Sequence, residues 1–174
     1  MFKRIRQKII IYFLYLFDKC NEFNQQRKYL KYRHKYQISP TFRFNGTNVN
    51  FLSDGQIICG DNSYIGENSS IQASPGYKVV IGKGCMISHN VRFYTTSAIP
   101  DQDFSIEPLK EKSGDIIIGD YVWIGTNVLI NPDITIGDNS VIGANSVVTR
   151  NVESNTIVGG VPAKLIRNKI FNAL

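Results

Sequence analysis

His34 and His89 are the two imidazoles of the chain. A neutral imidazole near pH 7 is well matched to removing a proton from a hydroxyl, an effect of typically ~10²–10⁴ in rate. His89 is followed by two carboxylates, Asp101 and Asp103, of a kind that can orient such a ring or stabilise its charged form. His34 is the weaker candidate, because the cations around it in Arg27-Lys-Tyr-Leu-Lys-Tyr-Arg-His-Lys-Tyr36 disfavour a protonated ring. Three cysteines, Cys20, Cys59 and Cys85, form no CxxC pair. Their odd number points to a reducing compartment and away from a disulfide framework.

The elements that must position these groups are set by a six-residue repeat. Ile118, Ile124, Ile130, Ile136, Ile142 and Val148 recur every sixth position, with glycine after four of them. The same phase runs through Ile81, Ile87 and Phe93, and through Cys59, Ile65 and Ile71. A period of six fits neither a helix at 3.6 nor a strand at 2.0, so the chain must turn every six residues. In Ile136-Gly-Asp-Asn-Ser-Val141 a corner at the third and fourth positions suits residues that tolerate left-handed backbone. The first and fifth positions then both point inward, which makes Cys59 and Cys85 core residues. Three strands and three corners close one coil, and stacked coils pair in parallel. The visible hexads supply about four coils.

Two breaks interrupt the rhythm. The gap from Ile71 to Ile81 is ten residues and is filled by Ser74-Pro-Gly-Tyr77, a small corner bulge. The gap from Phe93 to Ile118 is twenty-five residues, so a loop at about 97–115 leaves the solenoid and returns. Loops of that length on a rigid scaffold usually carry function.

The formal charge of +6 is concentrated at the front of the chain. Residues 1–36 hold ten Lys or Arg against two acids, a surplus of +8 that leaves −2 for the rest. The solenoid itself therefore shows no basic surplus of the kind that would point to nucleic acid. The apolar run Ile9–Phe17 is nine residues, about half the ~18 that would span a bilayer. No small-residue cleavage site follows it, so a secretory signal is not indicated. Two readings stay open for this segment: a basic amphipathic helix on an anionic membrane surface, or a helix packing its aromatic face on the solenoid or a neighbouring subunit. Arg27–Tyr36 interleaves cations with tyrosines that can stack on sugars or bases, and equally reads as a helix with a solvated basic face.

The segment Ile116–Arg167 contains Ile118-Gly-Asp-Tyr-Val-Trp-Ile-Gly-Thr, Ile136-Gly-Asp-Asn-Ser-Val-Ile-Gly-Ala and Gly159-Gly-Val-Pro-Ala-Lys-Leu-Ile-Arg167. These phrases resemble the hexapeptide-repeat acyltransferases with a left-handed β-helix. They are most similar to the branch that O-acetylates sugars and polysaccharides, including the galactoside and maltose acetyltransferases. The resemblance covers roughly residues 57–167. It implies an all-β solenoid, a left-handed parallel β-helix placed at 41–167, with a short C-terminal helix; the basic, aromatic-rich residues 1–40 read as a helical segment and 168–174 as a C-terminal tail. It also implies acetyl-CoA as co-substrate, no metal, a sugar or glycan acceptor and a homotrimer with each active site between two chains.

Carried over by position, the family's catalytic histidine falls on Ala98, which cannot accept a proton. Asn90 matches a substrate-contacting position, and Tyr94 lies on the same stretch. Trp123 would line the acetyl-CoA groove, and Thr126 and Ala144 would offer backbone contacts to its pantetheine arm. Arg150, Lys164 and Arg167 would hold its nucleotide end, with Arg150 standing where the family usually has Lys. His89 is then the leading substitute base, with Asp101 and Asp103 as its loop partners.

Three other functions fit parts of the same pattern. A zinc enzyme on the same solenoid needs three histidines, and this chain has two. A non-catalytic glycan-binding solenoid accommodates Ala98 but leaves Arg150 and Arg167 without a task. An N-acetyltransferase of a nucleotide-linked amino sugar needs no base, yet commonly carries an N-terminal nucleotide-binding domain that residues 1–40 are too short to form. The resulting expectation is a trimeric O-acetyltransferase of a bacterial surface polysaccharide, in the cytoplasm or at the inner face of the membrane.

Overall fold

The computed structural model describes residues 2–52 and 54–171, with side chains from residue 6 onward. The chain divides into two compact units at Lys35/Tyr36. The first is one 34-residue helix, Phe2–Lys35, with Arg33 and Lys35 in its last turn, where the helix dipole favours cations. No helix among the described residues is long and apolar enough to cross a membrane.

The second unit is a parallel solenoid with three faces. The first sheet stacks Gln37–Ile38, Gln56–Cys59, Lys78–Ile81, Ile116–Ile118 and Ile134–Ile136. The second begins at Arg43–Asn45 and runs through Tyr64–Gly66, Met86–Ile87, Trp123–Ile124, Val141–Ile142 and Thr156–Gly159. The third stacks Asn50–Leu52, Ser70–Gln72, Arg92–Tyr94, Leu129–Ile130 and Val147–Val148. Each coil contributes one strand to each face, which gives five complete coils and a partial sixth. The first coil carries Ile38, Phe44 and Phe51 in register with Cys59, Ile65 and Ile71. Its phase is broken by one extra residue between the two phenylalanines, which hid it from the hexad count.

The core follows the repeat. Ile65, Ile71, Ile87, Phe93, Ile124, Ile130, Ile136, Ile142 and Val148 are all fully buried, from first hexad positions. Fifth positions are small and buried too, among them Ser63, Cys85, Ser140 and Ser146. Their hydroxyls are satisfied locally: Ser140 Oγ donates to the Gly137 carbonyl at 2.7 Å and Ser146 Oγ to Gly143 at 2.6 Å. The left-handed corner residue is the fourth of the hexad, as in Asn62, Asn68, Asn90, Asn127, Asn139 and Asn145, each at φ between 55° and 58°. Asparagine tolerates that conformation because its short amide bonds locally. Here it also bonds between coils.

The C-terminal segment differs from the expected short helix. Lys164–Asn168 is a strand, antiparallel to Thr156–Gly159, and no C-terminal helix occurs among the described residues. The second sheet ends in an unpaired strand edge, and the chain returns to pair with it. The tail's last residues, 172–174, lie outside the described residues.

Candidate active site

The three faces meet along three edges, and the candidate residues sort onto them by corner. His89 lies on the edge between the second and third faces, after Met86–Ile87 and before Arg92–Tyr94. It is exposed, and its ring covers Gly66 of the previous coil: a Cβ at Gly66 would fall 2.5 Å from His89 Cδ2. Thr126 and Ala144 follow on the same edge, one and two coils on. Thr126 Oγ1 donates to the His89 carbonyl at 3.0 Å, and the Asn145 N–H donates to the Thr126 carbonyl at 2.9 Å. Beside them an amide ladder runs along the edge. Asn90 Nδ2 donates to Asn127 Oδ1 at 2.8 Å and Asn127 Nδ2 to Asn145 Oδ1 at 3.0 Å. Arg92 also donates to Asn90 Oδ1 at 3.0 Å, so both ends of the Asn90 amide are engaged.

The loop leaves on a different edge, between the third and first faces. It is a hairpin, with Thr96–Ala98 antiparallel to Glu111–Ser113 and Ala98 directly opposite Glu111. Gln102 ties its neck: Nε2 donates to the carbonyls of Ile99 at 2.7 Å and Lys110 at 2.9 Å, and Oε1 accepts from the Lys110 N–H at 2.7 Å. Asp103 is exposed, and bonds from the Ser105 hydroxyl (2.7 Å) and N–H (2.9 Å) hold its carboxyl below the usual range. That makes it a poorer proton acceptor.

Within one chain, then, His89 and the carboxylates Asp101 and Asp103 are not brought together. The width of the third face separates them, three strand residues at Arg92–Tyr94 or about 10 Å. Tyr94 is half-buried and ends that strand on the hairpin side.

A cleft of about 530 Å³ opens beside the hairpin, lined by Ser97, Ala98, Lys112, Asn131, Pro132 and Thr149 among others. Lys112 Nζ lies 3.7 Å from Asp133 Oδ2 at its margin. On the other side of the hairpin a second cleft, about 380 Å³, is lined by Asp54, Gln56, Tyr77, Lys78 and Asp115. The Lys78 N–H donates to Asp115 Oδ1 there at 2.9 Å. Neither Glu111 nor this polar cleft was legible from the repeat, because both depend on how the excursion folds back.

The expected cofactor residues occupy the outer surface and the C-terminal end. Trp123 stands 48% exposed on the second face, paired with Met86 and Val141. Arg150 and Lys164 line a common cleft of about 400 Å³ with Asn151, Glu153, Ala163 and Asn168. Arg167 is opposite Ile157 in the final strand pair and donates to the Asn168 carbonyl at 3.1 Å. Cys85 is buried with its Sγ 3.0 Å from the Gly119 carbonyl, and burial pushes its thiol up, so a nucleophilic role is not supported. Among the described residues no group of three or more His, Cys, Asp or Glu could hold a metal ion.

Comparison with known proteins gives the same architecture. Residues 115–150 match the family model for bacterial transferase hexapeptide (six repeats). A hexapeptide-repeat acetyltransferase of Vibrio cholerae O1 biovar eltor, solved with acetyl-coenzyme A, is 31% identical and covers 84% of this chain and 78% of its own, at a TM-score of 0.68. A galactoside acetyltransferase solved with coenzyme A is 30% identical and covers 85% of this chain and 82% of its own, at a TM-score of 0.63. The polysialic acid O-acetyltransferase of Escherichia coli O1:K1 / APEC is 40% identical over 119 residues, 64% of this chain and 38% of that protein. The chain spans between 38% and 63% of the length of the curated relatives it matches. Matching the family model and covering about four fifths of two solved acetyltransferases at 30–31% identity, the chain belongs to the hexapeptide-repeat transferase family.

Proposed function

We propose that this protein transfers an acetyl group from acetyl-CoA to a sugar hydroxyl of a bacterial surface polysaccharide or its precursor. The observation that carries this reading is the alignment of His89, Thr126 and Ala144 on one solenoid edge, with Arg150 and Lys164 sharing a cleft with Glu153 towards the C-terminal end of the solenoid. Successive coils are about 4.8 Å apart. An extended thioester arm laid along that edge would place its carbonyl near His89 and its phosphates near the cations, with Trp123 along its apolar side. The family members solved with acetyl-CoA or CoA support that choice of co-substrate.

The base takes the proton of the sugar hydroxyl, the oxygen attacks the thioester carbonyl, and the C–S bond breaks. The thiolate leaves and recovers the proton. Backbone N–H groups stabilise the oxyanion. His89 is the base in this reading. A second acceptor is favoured by one observation, the register that sets Glu111 opposite Ala98 in the hairpin. Residues directly opposite in an antiparallel pair share a face, so the Glu111 carboxylate lies on the side where a histidine at 98 would project.

Because the His89 edge and the hairpin edge lie on different corners of one chain, a complete site takes the edge of one copy and the hairpin of the next. A closed ring of three supplies that pairing at every interface. The polar cleft at Asp54, Gln56, Tyr77 and Lys78, on the far side of the hairpin, then suits the glycan. Work at the inner face of a membrane would bring the enzyme to glycans assembled there.

The test is thiol release from acetyl-CoA with a panel of sugars and glycans, for the native chain, His89→Ala, Glu111→Gln and Ala98→His. His89→Ala lowers turnover by roughly 10²–10⁴ if it is the base. A loss confined to Glu111→Gln moves the role to the hairpin. Absence of acetyl-CoA binding in the native chain overturns the transferase reading, and a monomer by light scattering overturns the shared site.

A further inference from the structure

The helical unit carries a surface that acyl transfer does not use. Every residue from Ile9 to Phe17 is between 39% and 65% exposed, including Phe13 and Phe17 at 65% and 64%. Nine consecutive residues cover two and a half turns, so this band is apolar around the whole circumference of the helix. At 1.5 Å per residue it is about 13–14 Å long, half of the ~30 Å hydrocarbon core, and it cannot cross a bilayer.

Its neighbours in sequence are Lys3, Arg4, Arg6 and Lys8, within a segment of ten cations and two acids. The charge decides between two occupants. A second copy packed alongside would cover one stripe of the band and set two surpluses of +8 side by side. An anionic lipid surface covers more of the circumference and neutralises the cations.

We propose that the helix Phe2–Lys35 seats this protein on an anionic phospholipid bilayer, with Ile9–Phe17 in the headgroup–acyl boundary and the flanking Lys and Arg on lipid phosphates. Such helices sit about 5–10 Å deep, and long cationic side chains reach back to the headgroups over their own apolar stems. Tyr12 and Tyr15 suit that depth, since each has an apolar body and a polar tip. The band exceeds the narrow stripe of a surface-lying amphipathic helix, and its all-round apolar character favours partial immersion. This proposal stands independently of the transferase reading, because it rests on the helical unit alone.

The test is flotation of the full chain with vesicles of phosphatidylcholine, with and without phosphatidylglycerol, at low and high salt. The expected result is partitioning onto the anionic vesicles at least ~100-fold above the neutral ones, weakening as salt rises. Phe13→Asp, and separately the joint replacement of Lys3, Arg4, Arg6 and Lys8 by Gln, each reduce it at least ~10-fold while the thermal melt of the solenoid is unchanged. Failure to float, equal flotation with both vesicle types, or variants that float like the native chain would each overturn the proposal. So would a fall in oligomeric mass for Phe13→Asp without vesicles, which would give the band to a second copy.

Discussion

Gln102 offers a sharp test of how the hairpin is held. Its side chain makes three hydrogen bonds across the neck, donating to the Ile99 and Lys110 carbonyls at 2.7 and 2.9 Å and accepting from the Lys110 N–H at 2.7 Å. Gln102→Leu keeps the approximate volume and removes all three. A net hydrogen bond contributes ~0.5–1.5 kcal/mol, and a partly exposed site falls toward the low end, so the loss is about 2 kcal/mol. The hairpin lies outside the coils, so this cost falls on local opening. At 1.4 kcal/mol per tenfold, the opening equilibrium rises roughly 30-fold. The assay is amide hydrogen exchange at Ile99, whose N–H donates to the Lys110 carbonyl at 3.0 Å and keeps its partner in the variant. Exchange there should accelerate by about that factor while amides of the buried coils stay unchanged. A change below about threefold at Ile99 would show that the neck does not depend on Gln102. Equal acceleration throughout the solenoid would show that the hairpin is not a separate opening unit.

Three further outcomes follow from the same structure. Ile124→Ala empties a fully buried first position in the fourth coil and should cost about 3–4 kcal/mol, read as a lower urea midpoint at unchanged slope. Asn127 sits at φ 58° with amide bonds to Asn90 and Asn145, so Asn127→Ala should cost about 2–3 kcal/mol. Asn127→Gly should recover about 1 kcal/mol of that in a thermal melt, since glycine removes the backbone strain but not the lost bonds. Asp103 has its carboxyl held below the ordinary range by Ser105, so what the pair contributes is present above the unfolded carboxylate pKa and lost as pH falls through the lower folded value. An NMR titration should show that value returning toward the ordinary one in Ser105→Ala.

Much of the solenoid was legible because its rule is local. An aliphatic first position, a left-handed fourth and a small fifth are properties of six neighbouring residues, and Cys59 and Cys85 fell into the core as their positions required. The first coil fell largely inside the expected β-helix, but its register was hidden, because one inserted residue between Phe44 and Phe51 breaks the count while tertiary pairing with Ile65 and Ile71 absorbs it. The C-terminal strand escaped for a different reason. Lys164–Asn168 takes its conformation from the open edge at Thr156–Gly159, and no local preference states that such an edge exists.

The sequence by itself determined the period, the buried aliphatic column, the asparagine corners and the place where the chain leaves the coil, because each is a short-range consequence of side-chain shape and backbone freedom. The three-hexad coil already puts His89, Thr126 and Ala144 on one edge; only the tertiary structure decided that the excursion folds as an antiparallel hairpin standing on another. It also set Glu111 opposite Ala98 and brought Arg150 and Lys164 to one cleft. These juxtapositions come from antiparallel pairing and from the folding back of the chain's last segment, between residues far apart in sequence, which a six-residue rule does not encode.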